Sequence, residues 1–204
     1  MTSATPHHHY PAAMAQLDSV GSTLLKAAGD LLAAEGPAAL TVRRIANAAG
    51  VSTMNVYSRF GGKDGVVEHL FVEGFRLLGE AMNARPDTDD PLADLRNCGL
   101  GYRQFAIDNE TLYSVMFDRV VPDFEPSIEA QVLAGATLAL LAKRIERAMT
   151  AGLLRPADPL QTAAVVWATC HGLVSLELKH ASPSVIDWPA AYDTATLMIV
   201  KGLA

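Results

Sequence analysis

Residues 41–63, TVRRIANAAGVSTMNVYSRFGGK, carry Arg43, Arg44, Arg59 and Lys63 and not one carboxylate. The chain around them is acidic, with 16 Lys and Arg against 22 Asp and Glu in 204 residues. A net charge of −6 rules out a general basic coat, so any anion must be met locally. Small polar side chains and Tyr57 are interleaved with the cations. Cations and hydroxyls at the edges, with short polar groups between them, suit phosphate oxygens and the base edges of a duplex.

Such side chains need rigid elements beneath them. Leu17, Val20, Leu24, Ala27, Leu31 and Ala34 step by three and four, which places them on one face of a helix that Gly36-Pro37 ends. Thr41 is placed to cap a short helix holding Val42, Ile45, Ala46 and Ala49. Gly50 breaks it, and Ser52 is placed to cap a second short helix with Val56 and Phe60 inside. Two short helices joined by Ala49-Gly50-Val51-Ser52 form a helix-turn-helix pattern.

In that arrangement Ser52, Thr53, Met54 and Asn55 open the second helix, the part that meets base edges. Asn55 suits adenine, and Thr53 and Met54 suit thymine methyl groups. Tyr57, Ser58 and Arg59 are placed for phosphates, and Lys63 adds its charge to the N–H groups that open the next helix. Thr41, Arg43 and Arg44 on the first helix of the pair complete the candidate nucleic-acid set.

The segment resembles the DNA-binding region of the TetR (tetracycline-repressor-like) family of transcriptional regulators. The resemblance rests on Thr41, Val42, Arg43, Ile45, Ala46, Ala49, Gly50, Val51, Ser52, Val56, Tyr57, Phe60, Lys63 and Asp64, and covers about residues 17–78. Two positions depart from the family pattern: Ser58 stands where His is frequent, and Gly61-Gly62 where Pro-Ser is frequent. The resemblance implies a ligand-responsive regulator, most often a repressor. It would bind a palindromic operator in double-stranded DNA as a homodimer and be released by a small effector.

The remainder reads as helical throughout, so the expected fold is all-α, with about nine helices and no strand. Asp87-Thr-Asp-Asp-Pro91 reads as an acidic linker, and Asp158-Pro159-Leu160-Gln161 as a helix start. Expected boundaries are a tail at 1–14 that includes His7, His8 and His9, a DNA-binding domain at 15–62, and a ligand-binding and dimerisation domain at 63–204. Leu160, Ala164, Trp167, His171, Val174 and Leu178 form one apolar stripe, and Ala163, Val166, Cys170 and Leu173 a second on the same helix. With the last helix they suit a four-helix dimer interface, for which Leu160, Ala164, Val174, Leu178, Tyr192, Ala195 and Ile199 are the candidates. Trp167 and His171-Gly172 resemble a pattern of one class of C-terminal domains in the family. Tyr102, Phe105, Met116, Phe117, Leu141, Ile145, Trp167, Cys170 and His171 are the candidates for lining a cavity suited to a small hydrophobic effector.

Other chemistry is poorly supported. Cys98 and Cys170 have neither disulfide-framework nor zinc spacing and read as buried residues of a reducing cytoplasm. The first Lys or Arg is Lys26, so no basic leader region precedes an apolar one. The charge-free run of residues 159–176 contains Gln161, Thr162, Thr169, His171 and Ser175, and reads as a buried helix rather than a membrane span. A di-iron bundle enzyme would need two Glu-x-x-His motifs, and only Glu177 to His180 has that spacing. No catalytic residue, cofactor or metal is expected. The alternative reading is a helical protein-interaction module that does not bind DNA.

Overall fold

The computed structural model describes residues 17–180 and 185–204. The histidine run at 7–9 and the Ser182-Pro183-Ser184 loop lie outside the described residues. The described residues form nine α-helices, one short 3-10 turn and no strand. They fall into two compact units, one ending at Lys63 and the other beginning at Asp64.

The first unit holds α1 (Ser19–Glu35), the 3-10 turn (Pro37–Ala39), α2 (Val42–Ala48) and α3 (Thr53–Phe60). Asp18 caps α1 by accepting a 2.7 Å hydrogen bond from the Gly21 N–H, and Thr41 caps α2 through Arg44 N–H at 3.3 Å. Leu24, Ala28, Ile45, Ala46, Val56 and Phe60 are fully buried and clamp the three helices together. Each large member contributes on the order of 1.5–3 kcal/mol by leaving water. Gly50 in the turn has φ 69°, and Gly61 ends α3 at φ 72°. These are left-handed conformations that a side chain resists. Ser52 stands at the N-cap of α3 as expected, but its side chain makes no capping bond; its Oγ accepts from the Asn55 side-chain amide instead, at 3.1 Å.

The helix α4 (Lys63–Met82) begins on the last residue of the first unit, and the rest belongs to the second. It is followed by α5 (Pro91–Asp108), α6 (Glu110–Phe117), α7 (Ile128–Thr150), α8 (Pro159–Leu178) and α9 (Trp188–Leu203). Asp90, Asp158 and Asp187 cap their helices with proline in the first turn, and Ser127 caps α7. In this bundle α7 packs on α8 and α5, while α8 also packs on α5 and α9.

The acidic segment before α5 is tied down rather than loose. Buried Asp94 accepts hydrogen bonds from the Thr88 N–H at 2.8 Å, from the Thr88 hydroxyl at 2.9 Å and from Arg147 at 2.7 Å. Asp87 pairs with the buried Arg144 at 3.2 Å. Composition alone marks this stretch as a linker, but its carboxylates are committed to α5 and α7.

One crossing in the second unit has no room for a side chain. A Cβ on Gly101 of α5 would collide with the Ala81 carbonyl oxygen of α4, lying 2.8 Å from its carbon and 3.2 Å from Met82 Cα. Gly101→Ala is therefore expected to cost about 1–3 kcal/mol in denaturant unfolding, because backbone rather than a side-chain tip is in the way. Gly79→Ala, whose Cβ would meet only Thr137 Cγ2 at 3.8 Å, should stabilise by about 0.5–1 kcal/mol. Equal effects at both positions would contradict the close crossing.

Candidate nucleic-acid interface and internal cavity

The outer surface of α3 is set by what α3 buries. With Val56 and Phe60 fixed inside, Ser52, Thr53, Met54, Tyr57 and Ser58 face outward together. Met54 is 70% exposed and Tyr57 55%. Thr41, Arg43 and Arg44 are exposed at the start of α2, and half-buried Lys63 opens α4.

The cations are not all available, and this the sequence reading missed. Arg44 is paired with Glu35. Arg59 grips Asp18 with Nη2 at 2.6 Å and with Nε at 2.9 and 3.2 Å. Its Nη1 donates to Asn55 Oδ1 at 2.9 Å. The Arg59 guanidinium, helped by the Gly21 N–H, lowers the Asp18 carboxyl to about 2. The pair therefore persists at all but strongly acidic pH; it is lost only as pH falls through that value. Both ends of the Asn55 amide are engaged, its nitrogen by Ser52 and its oxygen by Arg59. Asn55 is therefore half-buried and held, not presented freely as the sequence expectation had it.

The second unit contains a partly open cavity of about 500 Å³. Of the expected lining residues, Tyr102, Phe117, Leu141, Trp167 and Cys170 are on its wall. Phe105, Met116 and Ile145 are not; they are buried in the packing between helices. His171 is also off the wall, and its Nδ1 lies 3.2 Å from the Tyr102 hydroxyl and 2.7 Å from that of Tyr113. Burial lowers the His171 pKa and keeps the ring neutral. Sequence reasoning missed the α4 wall (Phe75, Leu78, Met82), and also Leu138 of α7 and Val200 of α9. Those residues are buried like many others of α4, and burial alone does not show which of them border a void.

Several expected partner-facing residues also need correction. Val174 is fully buried, and Tyr192 is 1% exposed with its hydroxyl donating to the Gly99 carbonyl at 2.7 Å. Ile199 lies on the cavity wall. Leu160 is exposed, while Ala164, Leu178 and Ala195 are half-buried. The outer faces also carry Val165 (63% exposed) and Leu176 on α8, with Leu197 and Met198 (67% exposed) on α9. Because α8 is apolar nearly all round, periodicity could not choose which stripe its own bundle covers.

Cys98 and Cys170 are both buried, free and on the cavity wall. Burial pushes the Cys98 thiol up to about 11, against the pull of Arg144. Glu177, half of the single Glu-x-x-His pattern, is committed to Arg103 at 3.0 Å. Among the described residues no cluster of metal-ligating side chains occurs, and no helix is long and apolar enough to cross a membrane.

Two family models match this chain. Residues 24–70 match the bacterial regulatory proteins of the tetR family, and residues 95–198 match the tetracyclin repressor-like C-terminal domain. The chain belongs to the TetR family. Its TetR N-terminal helix-turn-helix is the unit built by α1 to α3, and the C-terminal domain holds the cavity. A comparison with curated proteins finds no match. Among solved structures, a protein of unknown function from Rhodococcus sp. RHA1 is similar, with a TM-score of 0.81 at 23% identity over 98% of this chain and 100% of that one. The fatty acid degradation regulator FadR from Bacillus halodurans has a TM-score of 0.73 at 18% identity, over 93% and 98%. The TetR family regulator PfmR from Thermus thermophilus has 0.69 at 18% identity, over 89% and 98%. At these identities the likeness concerns the fold.

The Asp18–Arg59 pair makes a prediction for this TetR-family head. Asn caps helices about as well as Asp, so Asp18→Asn should keep α1 while releasing Arg59. Affinity for a random-sequence duplex should rise several-fold, because no carboxylate then competes for the guanidinium, while the slope of log affinity against log salt, which counts the phosphates met in the complex, should stay the same. Unchanged affinity would mean that Arg59 never reaches a phosphate.

Proposed function

We propose that this TetR-family protein is a repressor that binds a palindromic operator as a homodimer and leaves it when a small apolar effector fills the C-terminal cavity. The outward face of α3 carries the reading: hydroxyl, thioether and phenol groups stand together with no carboxylate among residues 52–60. Ser52, Thr53 and Met54 are placed for base edges and Tyr57 and Ser58 for phosphates. Arg43 and Lys63 add charge at the flanks, and Arg59 would exchange Asp18 for phosphate.

The dimer is supported by the uncharged outer face of α8, where Leu160, Val165, Ala168 and Leu176 are exposed. Ala164 and Gly172 on that face would let a second helix approach closely. Effector release is supported by one element. The uninterrupted helix α4 opens at Lys63 and has Phe75, Leu78 and Met82 on the cavity wall. A ligand that favours one position of α4 over another shifts the conformer population in proportion to that difference in affinity.

Selection of bound duplexes from a random DNA pool at near-physiological salt tests the reading. The expected product is a palindrome whose half-sites lie one helical turn or a multiple apart, with Tyr57→Ala weakening binding to all sequences alike. Absence of enrichment by ligand-stripped protein would leave the interaction-module reading in its place.

A further inference from the structure

The cavity wall carries few polar side chains, and most of them are already committed. Asp90 accepts from the N–H groups of Leu92 and Ala93 at 3.1 and 3.0 Å. Thr137 and Thr196 donate to carbonyls of their own helices, Ala134 and Asp193. Arg96 is held by Asp193 at 3.3 Å. A carboxylate brought into this space would have to draw Arg96 away from Asp193 to find a cation, and away from Arg96 its burial would be costly.

Tyr102 is different. Its hydroxyl lies 2.9 Å from that of Tyr113 and 3.2 Å from His171 Nδ1. Tyr113 lies 2.7 Å from the same nitrogen, and His171 Nε2 lies 3.3 Å from Ser175 Oγ. The protons of this ring can be arranged in two ways. With the imidazole hydrogen on Nε2, Tyr113 donates to Nδ1 and Tyr102 donates to Tyr113, which leaves the Tyr102 oxygen as an acceptor that the Trp167 indole N–H already meets. With the hydrogen on Nδ1, it is donated to the Tyr113 oxygen and Tyr113 donates to Tyr102, which leaves the Tyr102 O–H free to donate. Either arrangement is neutral, since burial disfavours both imidazolium and phenolate. With the hydrogen on Nδ1, Tyr102 can thus donate to an incoming oxygen without any charge forming. Trp167 shares this wall, with its ring against Phe117 and His171.

We propose that the effector is a neutral, largely apolar molecule with one hydrogen-bonding oxygen, a ketone, ester or alcohol, seated with that oxygen at Tyr102. The inference rests on the cavity being the effector site. It ranks carboxylates below neutral oxygen ligands, and it makes Tyr113 and His171 positioning residues that set whether Tyr102 can donate.

The test uses the full chain loaded with diphenylhexatriene, a fluorescent hydrocarbon, and measures its displacement at neutral pH by methyl nonyl ketone and by undecanoate. The ketone is expected to displace the dye at roughly tenfold lower concentration than the acid. Tyr102→Phe should weaken the ketone, relative to the dye measured on the same variant, by about 2–13-fold, the worth of one neutral hydrogen bond. The ligand comparison in the unmutated protein stands even if the variant folds poorly. Undecanoate binding as tightly as the ketone overturns the inference, and so does a ketone affinity indifferent to Tyr102→Phe. Failure of the protein to take up the dye at all would instead overturn the cavity reading on which it rests.

Discussion

The close crossing of α4 and α5 governs the second unit. Gly101 lies against the Ala81 carbonyl with no space for a Cβ, and the next residues along each helix, Tyr102 and Met82, stand on the cavity wall. Backbone contact at that point sets where both side chains go. The far end of α5 is fixed independently by the Asp90 cap and by Asp94, which binds Thr88 and Arg147. A wall held at both ends can border a void without collapsing into it, because filling the space would require backbone to move and not merely side chains to change rotamer.

Electrostatics organise the first unit in a different way. Its cations at 41–63 have no carboxylate within that stretch, yet Arg44 and Arg59 are paired through the fold to Glu35 and Asp18. Exposed pairs of this kind contribute little to stability. Their effect is to hold side chains in place: Arg59 orients Asn55, which in turn engages Ser52. Phosphate oxygens compete for the same guanidinium donors, so docking on a duplex would exchange one anion for another and release Asn55 from its hold.

The all-α fold was legible because the signals were strong and local. Helical periodicity, Gly50 in the turn, the Thr41 cap and the Asp-Pro start at 158 all act within a few residues of where they are read. The candidate base-reading residues followed from Val56 and Phe60, whose burial dictates what α3 exposes. What escaped was long-range. The Asp18–Arg59 pair spans 41 positions, and nothing in the sequence announces it. The acidic stretch before α5 looked like a linker because composition does not reveal that Arg144 and Arg147 wait on α7. Val174 and Tyr192 look as suited to a partner as to the core because α8 and α9 are apolar on more than one face, and only packing decides which face is covered.

The central claim is that cavity occupancy and DNA binding are linked through α4, and linkage is reciprocal. The decisive measurement is a paired one, using the duplex recovered by selection and methyl nonyl ketone. It compares the duplex affinity with and without saturating ketone, and the ketone affinity with and without saturating duplex. The account predicts that both fall by the same factor, on the order of 5–150-fold. Ketone that binds equally well to free and DNA-bound protein would contradict it.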